Sequence, residues 1–171
     1  MKAWIPGLVP TPKGNSPRIV RRGKWPKVLP SKRAVEAQKA LTRALKLKAP
    51  PEPLRGPLRR DCVFYLPIPQ SWPKWKQAAA MSGSWLPEGG GRQADTGNLT
   101  KLLDDALEGA GWLLNDGQIV GGETLKLYGE PPGYLVRLTP LAQGRRSQAP
   151  ARALWWHDIK RAPQPTTTTE P

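Results

Sequence analysis

The clearest pattern of apolar and polar positions lies in residues 92–120 and predicts an amphipathic helix. Apolar residues recur there at steps of three and four, so they share one helical face: Leu99, Leu102, Leu103, Ala106 and Ala110. The charged residues fall on other faces, and we expect the two aspartates among them to be solvated: Lys101, Asp104, Asp105 and Glu108. Several residues can cap the start of the helix, and two glycines can end it: Asp95, Thr96 or Asn98, and then Gly109 and Gly111.

A second helix is predicted from Ser31, a good N-cap, to about Ala49, before two prolines. One face is small and apolar and is expected in the core: Ala34, Ala37, Leu41, Ala44 and Leu45. Four basic residues lie within roughly 60° of one another on the opposite face, at 100° per residue. They form a cationic ridge: Lys32, Lys39, Arg43 and Lys46.

The remaining pattern predicts strands. Short or β-rich runs occur at residues 3–5, 61–68, 118–128 and 134–141, and the last two are separated by a hairpin-like Gly-Glu-Pro-Pro-Gly connection. The segment Ser71-Trp72-Pro73 can cap a short helix at residues 74–81. We therefore expect an α/β (α+β) fold in one domain over residues 1–142. It has a mixed β-sheet, a central amphipathic helix and a basic N-terminal helix. Residues 143–171 form an extension whose Thr- and Pro-rich end is expected to be disordered.

Composition excludes several classes of site. The single cysteine and single histidine rule out a disulfide framework and a Cys/His zinc site within the chain. No run of about 18 apolar residues is long enough to span a membrane, and no signal-peptide pattern follows Met1. The cytoplasm is therefore the expected compartment.

The positive charge is concentrated at one end of the chain. Residues 1–60 hold 16 Lys and Arg but only two acids, which accounts for the whole net charge of +14. This asymmetry favours a polyanionic partner, with nucleic acid first, although a solvated basic arm is the plain alternative. The Pro-spaced segment before the second helix is expected to be extended, with Trp25 packed or stacked on a base. The predicted DNA contacts are Lys13, Arg18, Arg21, Arg22, Lys24 and Lys27 in that segment, and Lys39 and Arg43 on the helix.

The candidate chemistry surrounds the amphipathic helix. Asp95 lies just before it, Lys101 sits about one turn in, and Asp116 follows its far end. If the chain folds back after the helix, two carboxylates and one ammonium meet and can hold a hard cation beside a proton donor. Each residue also has a structural explanation: Asp95 can cap the helix, Lys101 can pair with Asp105, and Asp116 can serve the turn before Gly117.

This order of elements resembles the RusA family of Holliday junction resolvases. The resemblance rests on IPGLVPTPKGNSPR at the start, SWPKWK at 71–76, ADTGNLTKLLDDAL at 94–107 and NDGQIV at 115–120. The last two are similar to the family patterns Pro-Asp-x-Asp-Asn-Leu-x-Lys-x-x-x-Asp-Ala-Leu and Asp-Asp-x-Gln-Val. Asp95 and Asp116 match metal-binding carboxylates, and Lys101 matches the catalytic lysine. Two positions depart: Gly97 stands where the family has a second aspartate, and Asn115 stands where it has an acid.

The resemblance implies a dimeric endodeoxyribonuclease that cuts four-way DNA junctions with Mg²⁺ during recombination or repair, in a bacterial or phage-infected cell. Loss of a carboxylate at position 97 is expected to slow or abolish cleavage. A non-catalytic protein that binds branched DNA is the principal alternative. An RNA-binding accessory protein is a third, because a basic arm with a tryptophan does not distinguish RNA from DNA.

Overall fold

The computed structural model describes residues 1–12, 18–21, 26–29, 31–88 and 95–142, with side chains in 1–12, 31–88 and 95–142. Its strands and helices follow one another along the chain. They are β1 (Lys2–Pro6), β2 (Arg18–Arg21), β3 (Pro26–Leu29), α1 (Lys32–Lys46), β4 (Leu58–Leu66), α2 (Lys74–Met81), α3 (Thr96–Gly109), β5 (Ile119–Gly121), β6 (Thr124–Tyr128) and β7 (Gly133–Pro140). A short 3-10 helix, Asp116–Gln118, precedes β5.

Strand β4 is the centre of a five-stranded mixed sheet. It pairs antiparallel with β7, which in turn pairs antiparallel with the edge strand β1. On its other side β4 pairs in parallel with β5 near its start and with β6 further along. Strands β2 and β3 form a separate antiparallel pair. The α+β fold expected from the sequence is confirmed.

The hairpin expected between the last two strands is wrong. Strands β6 and β7 lie on opposite sides of β4, so the Gly-Glu-Pro-Pro-Gly segment crosses the end of β4 instead of making a tight turn. Gly129 begins this crossing: its N–H donates to the carbonyl of Leu66, and a Cβ there would lie 2.6 Å from the Tyr65 ring. Local sequence predicted two adjacent strands, but the central strand inserted between them comes from a distant part of the chain.

Helices α1 and α3 pack on each other and share the main hydrophobic core with the sheet. Every residue predicted on the apolar face of α3 is buried, as is Leu107. In α1, Ala34, Leu41 and Leu45 are buried, and Trp112 joins the two helices, because its ring N–H donates to the carbonyl of Leu45 over 2.9 Å. The predicted cap of α1 is confirmed, since the Ser31 hydroxyl accepts from the N–H of Ala34.

Other boundaries shift by a few residues. Strand β4 starts at Leu58, three residues before the predicted position, and α2 covers the predicted 74–81. The N-cap of α2 is Pro73, the last residue of the segment predicted to cap it, and it makes no side-chain capping bond. Within the described ranges, no helix is long and apolar enough to cross a membrane.

Candidate functional site

The first candidate residue, Asp95, stands at the N-cap of α3 but does not cap it. Its backbone is in a non-helical conformation, φ −57° and ψ 137°, and its side chain makes no capping hydrogen bond. The residue is exposed. The structural explanation, in which the carboxylate serves only to cap the helix, is therefore not supported, and the carboxylate is available for a ligand.

Gly97 lies directly beside that carboxylate. A Cβ added at Gly97 would be 3.3 Å from Oδ2 of Asp95 and would meet no other atom of the described residues within 4 Å. An aspartate at position 97 would therefore stand next to Asp95 in the first turn of α3, but this chain has a glycine there.

The second candidate, Lys101, is exposed on the surface of α3. Its pairing with Asp105, the structural alternative, stays a prediction. An exposed lysine ammonium can contact a phosphate oxygen from outside.

The third candidate, Asp116, occupies a turn whose hydrogen bonds are supplied by its neighbours. The Asn115 side chain accepts from the N–H of Gly117 at 2.8 Å, and Gln118 Oε1 accepts from the N–H groups of Leu114 and Asn115. This reciprocal pair is a capping box. Asn115 therefore has a structural role at the position where the family pattern has an acid, and the exposed Asp116 carboxylate is not needed to hold the turn.

The turn is fixed beside the last part of α3. The main-chain N–H of Asp116 donates to Oε2 of Glu108 over 3.2 Å. Asp95 and Glu108 are separated by about 20 Å along the helix axis, at a rise of 1.5 Å per residue. One Mg²⁺ ion with metal–oxygen distances of about 2.0–2.1 Å would need carboxylate oxygens within roughly 4 Å of each other. The structure thus places Asp95 and Asp116 towards opposite ends of α3, and their meeting at one ion stays a prediction.

Sequence reasoning missed a charged pair between α3 and the sheet. Asp104 was expected on a solvated face, but its side chain is only 19% exposed and forms a bidentate ion pair with Arg60 of β4, whose side chain is 11% exposed. Arg60 also donates to the Thr124 hydroxyl at 3.4 Å. A charged residue in the central strand of a sheet requires a partner, but Arg60 lay just before the predicted strand, so this signal could not be used.

Asp104 is electrostatically connected to the candidate turn. Burial raises the pKa of Asp104 above its ordinary value, Arg60 lowers it, and the charges of Asp116 and Asp105 raise it. The carboxylates of Asp104, Asp105 and Asp116 therefore repel one another beside the second half of α3, and the buried guanidinium of Arg60 partly offsets this repulsion. Burial also raises the pKa of Cys62 to about 11, so this thiol is neutral near pH 7 and is no nucleophile.

A second ion-pair network fixes the segment that follows the turn. Asp61 is 1% exposed and accepts from Nε of Arg59 and from the N–H of Glu123, while Arg59 also pairs with Glu123 at 3.0 Å. Gly122, with φ +142°, packs so closely that a Cβ would lie 1.7 Å from the carbonyl oxygen of Arg60. These contacts attach the β5–β6 link to β4 and so fix where the chain leaves Asp116.

The predicted DNA-binding residues fall partly within the described structure. Lys39 and Arg43 are exposed, as are Lys32 and Lys46, so the cationic ridge on α1 is confirmed. Arg18 and Arg21 lie on β2 and Lys27 on β3, where Val20 pairs with Lys27. Lys13, Arg22, Lys24 and Trp25 lie outside the described residues.

The chain matches the family model described as Endodeoxyribonuclease RusA over residues 7–139. This match covers more than half of the chain and includes α3, the turn at Asp116 and every strand of the sheet except β1 and the last residue of β7. The chain belongs to the RusA endodeoxyribonuclease family. No curated protein matches it.

Membership of the RusA family makes a divalent metal the expected cofactor, because these nucleases depend on one in general. The described residues do not contain a ready site for it. No group of three or more Asp, Glu, His or Cys side chains that could hold a metal ion occurs among them. Gly97 removes the one additional carboxylate that the backbone of α3 could place beside Asp95.

Proposed function

We propose that this RusA-family protein is a Holliday junction resolvase that cleaves four-way DNA junctions with Mg²⁺ during recombination or repair. The observation that carries the proposal is the family match over residues 7–139. Asp95, Lys101 and Asp116 lie within this range, and their assignment to the site rests on their resemblance to the family patterns. Two of these carry exposed carboxylates and the third an exposed ammonium. The proposed compartment is the cytoplasm of a bacterial or phage-infected cell.

Lys101 has the simplest role in the proposed chemistry. Phosphodiester hydrolysis builds negative charge on the phosphate and on the leaving oxygen, and a positioned ammonium stabilises this charge or supplies the leaving group with a proton. Lys101 is held on a helix whose opposite face is fully buried, so its backbone position is rigid. Lys39 and Arg43 on α1 would bind backbone phosphates away from the reacting one and fix the register of the DNA.

The deciding experiment compares cleavage and binding of a synthetic four-way junction by the wild type and by Asp116→Asn. The proposal expects Mg²⁺-dependent cleavage by the wild type to disappear in the variant while junction binding is unchanged, since the Asp116 carboxylate is exposed and the turn is held by Asn115 and Gln118. Glu88→Gln, another exposed acid, is the matched control and should cleave as the wild type does. Cleavage that survives in Asp116→Asn would contradict the assigned site.

A specific observation favours a second candidate function, a non-catalytic protein that binds branched DNA. The described residues lack a three-ligand metal site, and Gly97 has replaced a motif carboxylate. If this alternative holds, the wild type binds a junction but shows no divalent-dependent cleavage, and Asp116→Asn changes nothing.

The variant Gly97→Asp, which restores the carboxylate, also distinguishes the two candidate functions. The added side chain fits if the exposed Asp95 carboxylate, 3.3 Å from the new Cβ, shifts slightly, and aspartate is favourable in the first turn of a helix. A slow nuclease should cleave faster when the carboxylate is restored. Gly97→Asn is the control, because it adds the same shape and a comparable change in helix propensity without the negative charge. An equal effect of the two variants would show that the charge is not involved.

We also propose a homodimer, because a four-way junction has nearly twofold symmetry and two strands to cut. Size-exclusion chromatography with light scattering measures the mass directly. A monomer at micromolar concentration, with and without junction DNA, would contradict the dimer.

A further inference from the structure

Helix α2 and the loop after it carry three tryptophans, which we call the tryptophan cluster: Trp72, Trp75 and Trp85. Two of them are partly buried against a small second core formed by Leu66, Ile68, Ala80 and Tyr128. Trp72 packs edge-to-face on Tyr128, with ring centroids 5.2 Å apart. Trp75 contacts Trp85 in the same manner at 6.0 Å. Trp85 is therefore anchored, and its ring supports Trp75 along one side.

Trp75 is the exposed member of the cluster. It is 63% exposed, compared with 37% for Trp4 and 0% for Trp112 elsewhere in the described chain. It is the second residue of α2, and the buried residue of this helix is Ala80. The fold does not require an indole at this position, because the small core beneath is completed by Trp72 and Trp85. A large ring held by a neighbour and open to solvent is suited to stacking on a flat ligand.

The surroundings of Trp75 are cationic. Exposed Lys74 precedes it, and Lys76 follows with its ammonium 4.1 Å from the centroid of the Trp72 ring and 4.4 Å from that of Trp85. No acidic residue occurs between residues 62 and 87. Aromatic rings interleaved with lysines match the chemistry of a nucleotide, whose base stacks and whose phosphate is anionic. An acidic or purely apolar partner would use only one of these features.

The cluster lies at the same end of the sheet as Asp95. The C-terminal side of α3 is attached before the start of β4, because the N–H of Leu54 donates to the carbonyl of Trp112. Further along β4, Arg60 contacts Asp104, which lies earlier in α3, so α3 runs opposite to β4 and its N-terminal end points towards the end of that strand. The tryptophan cluster packs on Leu66 and Tyr128, the last residues of β4 and β6. The connection from Trp85 to Asp95 spans only residues 86–94.

From this arrangement we propose that Trp75 is a stacking site for an unstacked nucleobase of the DNA, with Lys74 and Lys76 beside its phosphates. The inference rests on the proposed function, since it identifies the part of a branched substrate that this surface reads. Bases at a branch point, or in a single strand, expose a face that a paired duplex conceals. The site gives the protein a means to favour such DNA over a continuous duplex without reading sequence.

The test uses the full chain with a short fluorescent oligothymidine, a blunt duplex and a four-way junction, and measures binding by anisotropy. Trp75→Leu keeps apolar area but removes the ring, and Trp75→Phe keeps an aromatic ring. Because base stacking on an aromatic side chain typically contributes enough for about a fivefold change in affinity or more, Trp75→Leu should weaken oligothymidine and junction binding by at least that factor. Trp75→Phe should stay within about twofold of the wild type, and all forms should bind the duplex alike.

Leu86→Ala is the matched control, because Leu86 is 56% exposed and follows the cluster in the chain. It should bind all three DNAs as the wild type does. The proposal would be overturned if Trp75→Leu and Trp75→Phe lost affinity equally, if the duplex lost affinity as much as the other DNAs, or if oligothymidine lost none. An equal loss of affinity in Leu86→Ala would also overturn it, because it would indicate an apolar docking surface. If the stacking proposal fails, junction cleavage by the wild type is unaffected. If the proposed function fails, the wild type does not cleave the junction, so the two failures are distinguishable.

Discussion

The ion pair between Arg60 and Asp104 provides a quantitative test of how α3 is held on the sheet. Both side chains are mostly buried, 11% and 19% exposed, and Nη1 of Arg60 contacts both carboxylate oxygens. Nε of Arg60 is buried without a hydrogen-bond partner among the described atoms. Asp104→Leu would therefore leave a buried guanidinium with only the Thr124 hydroxyl as a partner.

The expected loss follows from the unpaired charge. Removing one partner of a buried pair typically destabilises a protein by about 3–5 kcal/mol, and the residual exposure of these two side chains favours the lower end. We expect Asp104→Leu to lower the free energy of unfolding by about 3 kcal/mol, and the double variant Arg60→Met/Asp104→Leu to recover most of this loss, because no charge is then buried. Urea denaturation followed by circular dichroism measures each value. Lys101→Met, an exposed change on the same helix, should stay within about 0.5 kcal/mol of the wild type.

The same pair predicts a pH dependence. Burial raises the pKa of Asp104 above its ordinary value of 3.8, so the folded state holds this proton more tightly than the unfolded state. Stability therefore falls as the pH rises through the window between the unfolded and folded values. Arg60→Met removes the interaction that lowers this pKa, so the window extends upward and the variant should lose more stability than the wild type does as the pH rises above 3.8. Identical pH profiles, or a double variant no more stable than Asp104→Leu, would refute the reasoning.

Three further predictions concern other contacts. Gly122→Ala places a Cβ 1.7 Å from the carbonyl oxygen of Arg60 at a φ of +142°, so it should lower the free energy of unfolding, measured by urea denaturation, by at least about 3 kcal/mol. A Cβ at Gly121 meets no described atom within 4 Å, so Gly121→Ala should cost little stability, and similar losses for the two variants would contradict the close packing. Neutralising Lys39 and Arg43 with glutamine should reduce the slope of log affinity for DNA against log salt by about two, while Lys2→Gln leaves it unchanged if α1 is the contact surface. Trp112→Phe removes the hydrogen bond to Leu45 and part of a fully buried ring, so it should lower the free energy of unfolding by about 2 kcal/mol. A melting temperature equal to that of the wild type would contradict this prediction.

Periodicity and capping chemistry predicted the helices because both act within a few residues. The three- and four-residue spacing from Leu99 to Ala110 identified the buried face of α3, and Ser31 marked the start of α1. The exposed basic ridge on α1 followed from the same spacing. The motif around α3 also indicated the nuclease family, which the match over residues 7–139 confirms. In these cases each residue's environment depends on its own helix.

Strand order and charge pairing depended on contacts between distant residues. Local sequence predicted a hairpin after β6, but β4 contributes the strand between β6 and β7.

Asp104 was expected in solvent, yet Arg60, 44 positions earlier, holds it against the sheet. The sequence alone determined which faces are apolar and which residues can carry the chemistry. Only the tertiary structure decided that the turn at Asp116 lies beside Glu108, because the course of a turn depends on what it packs against.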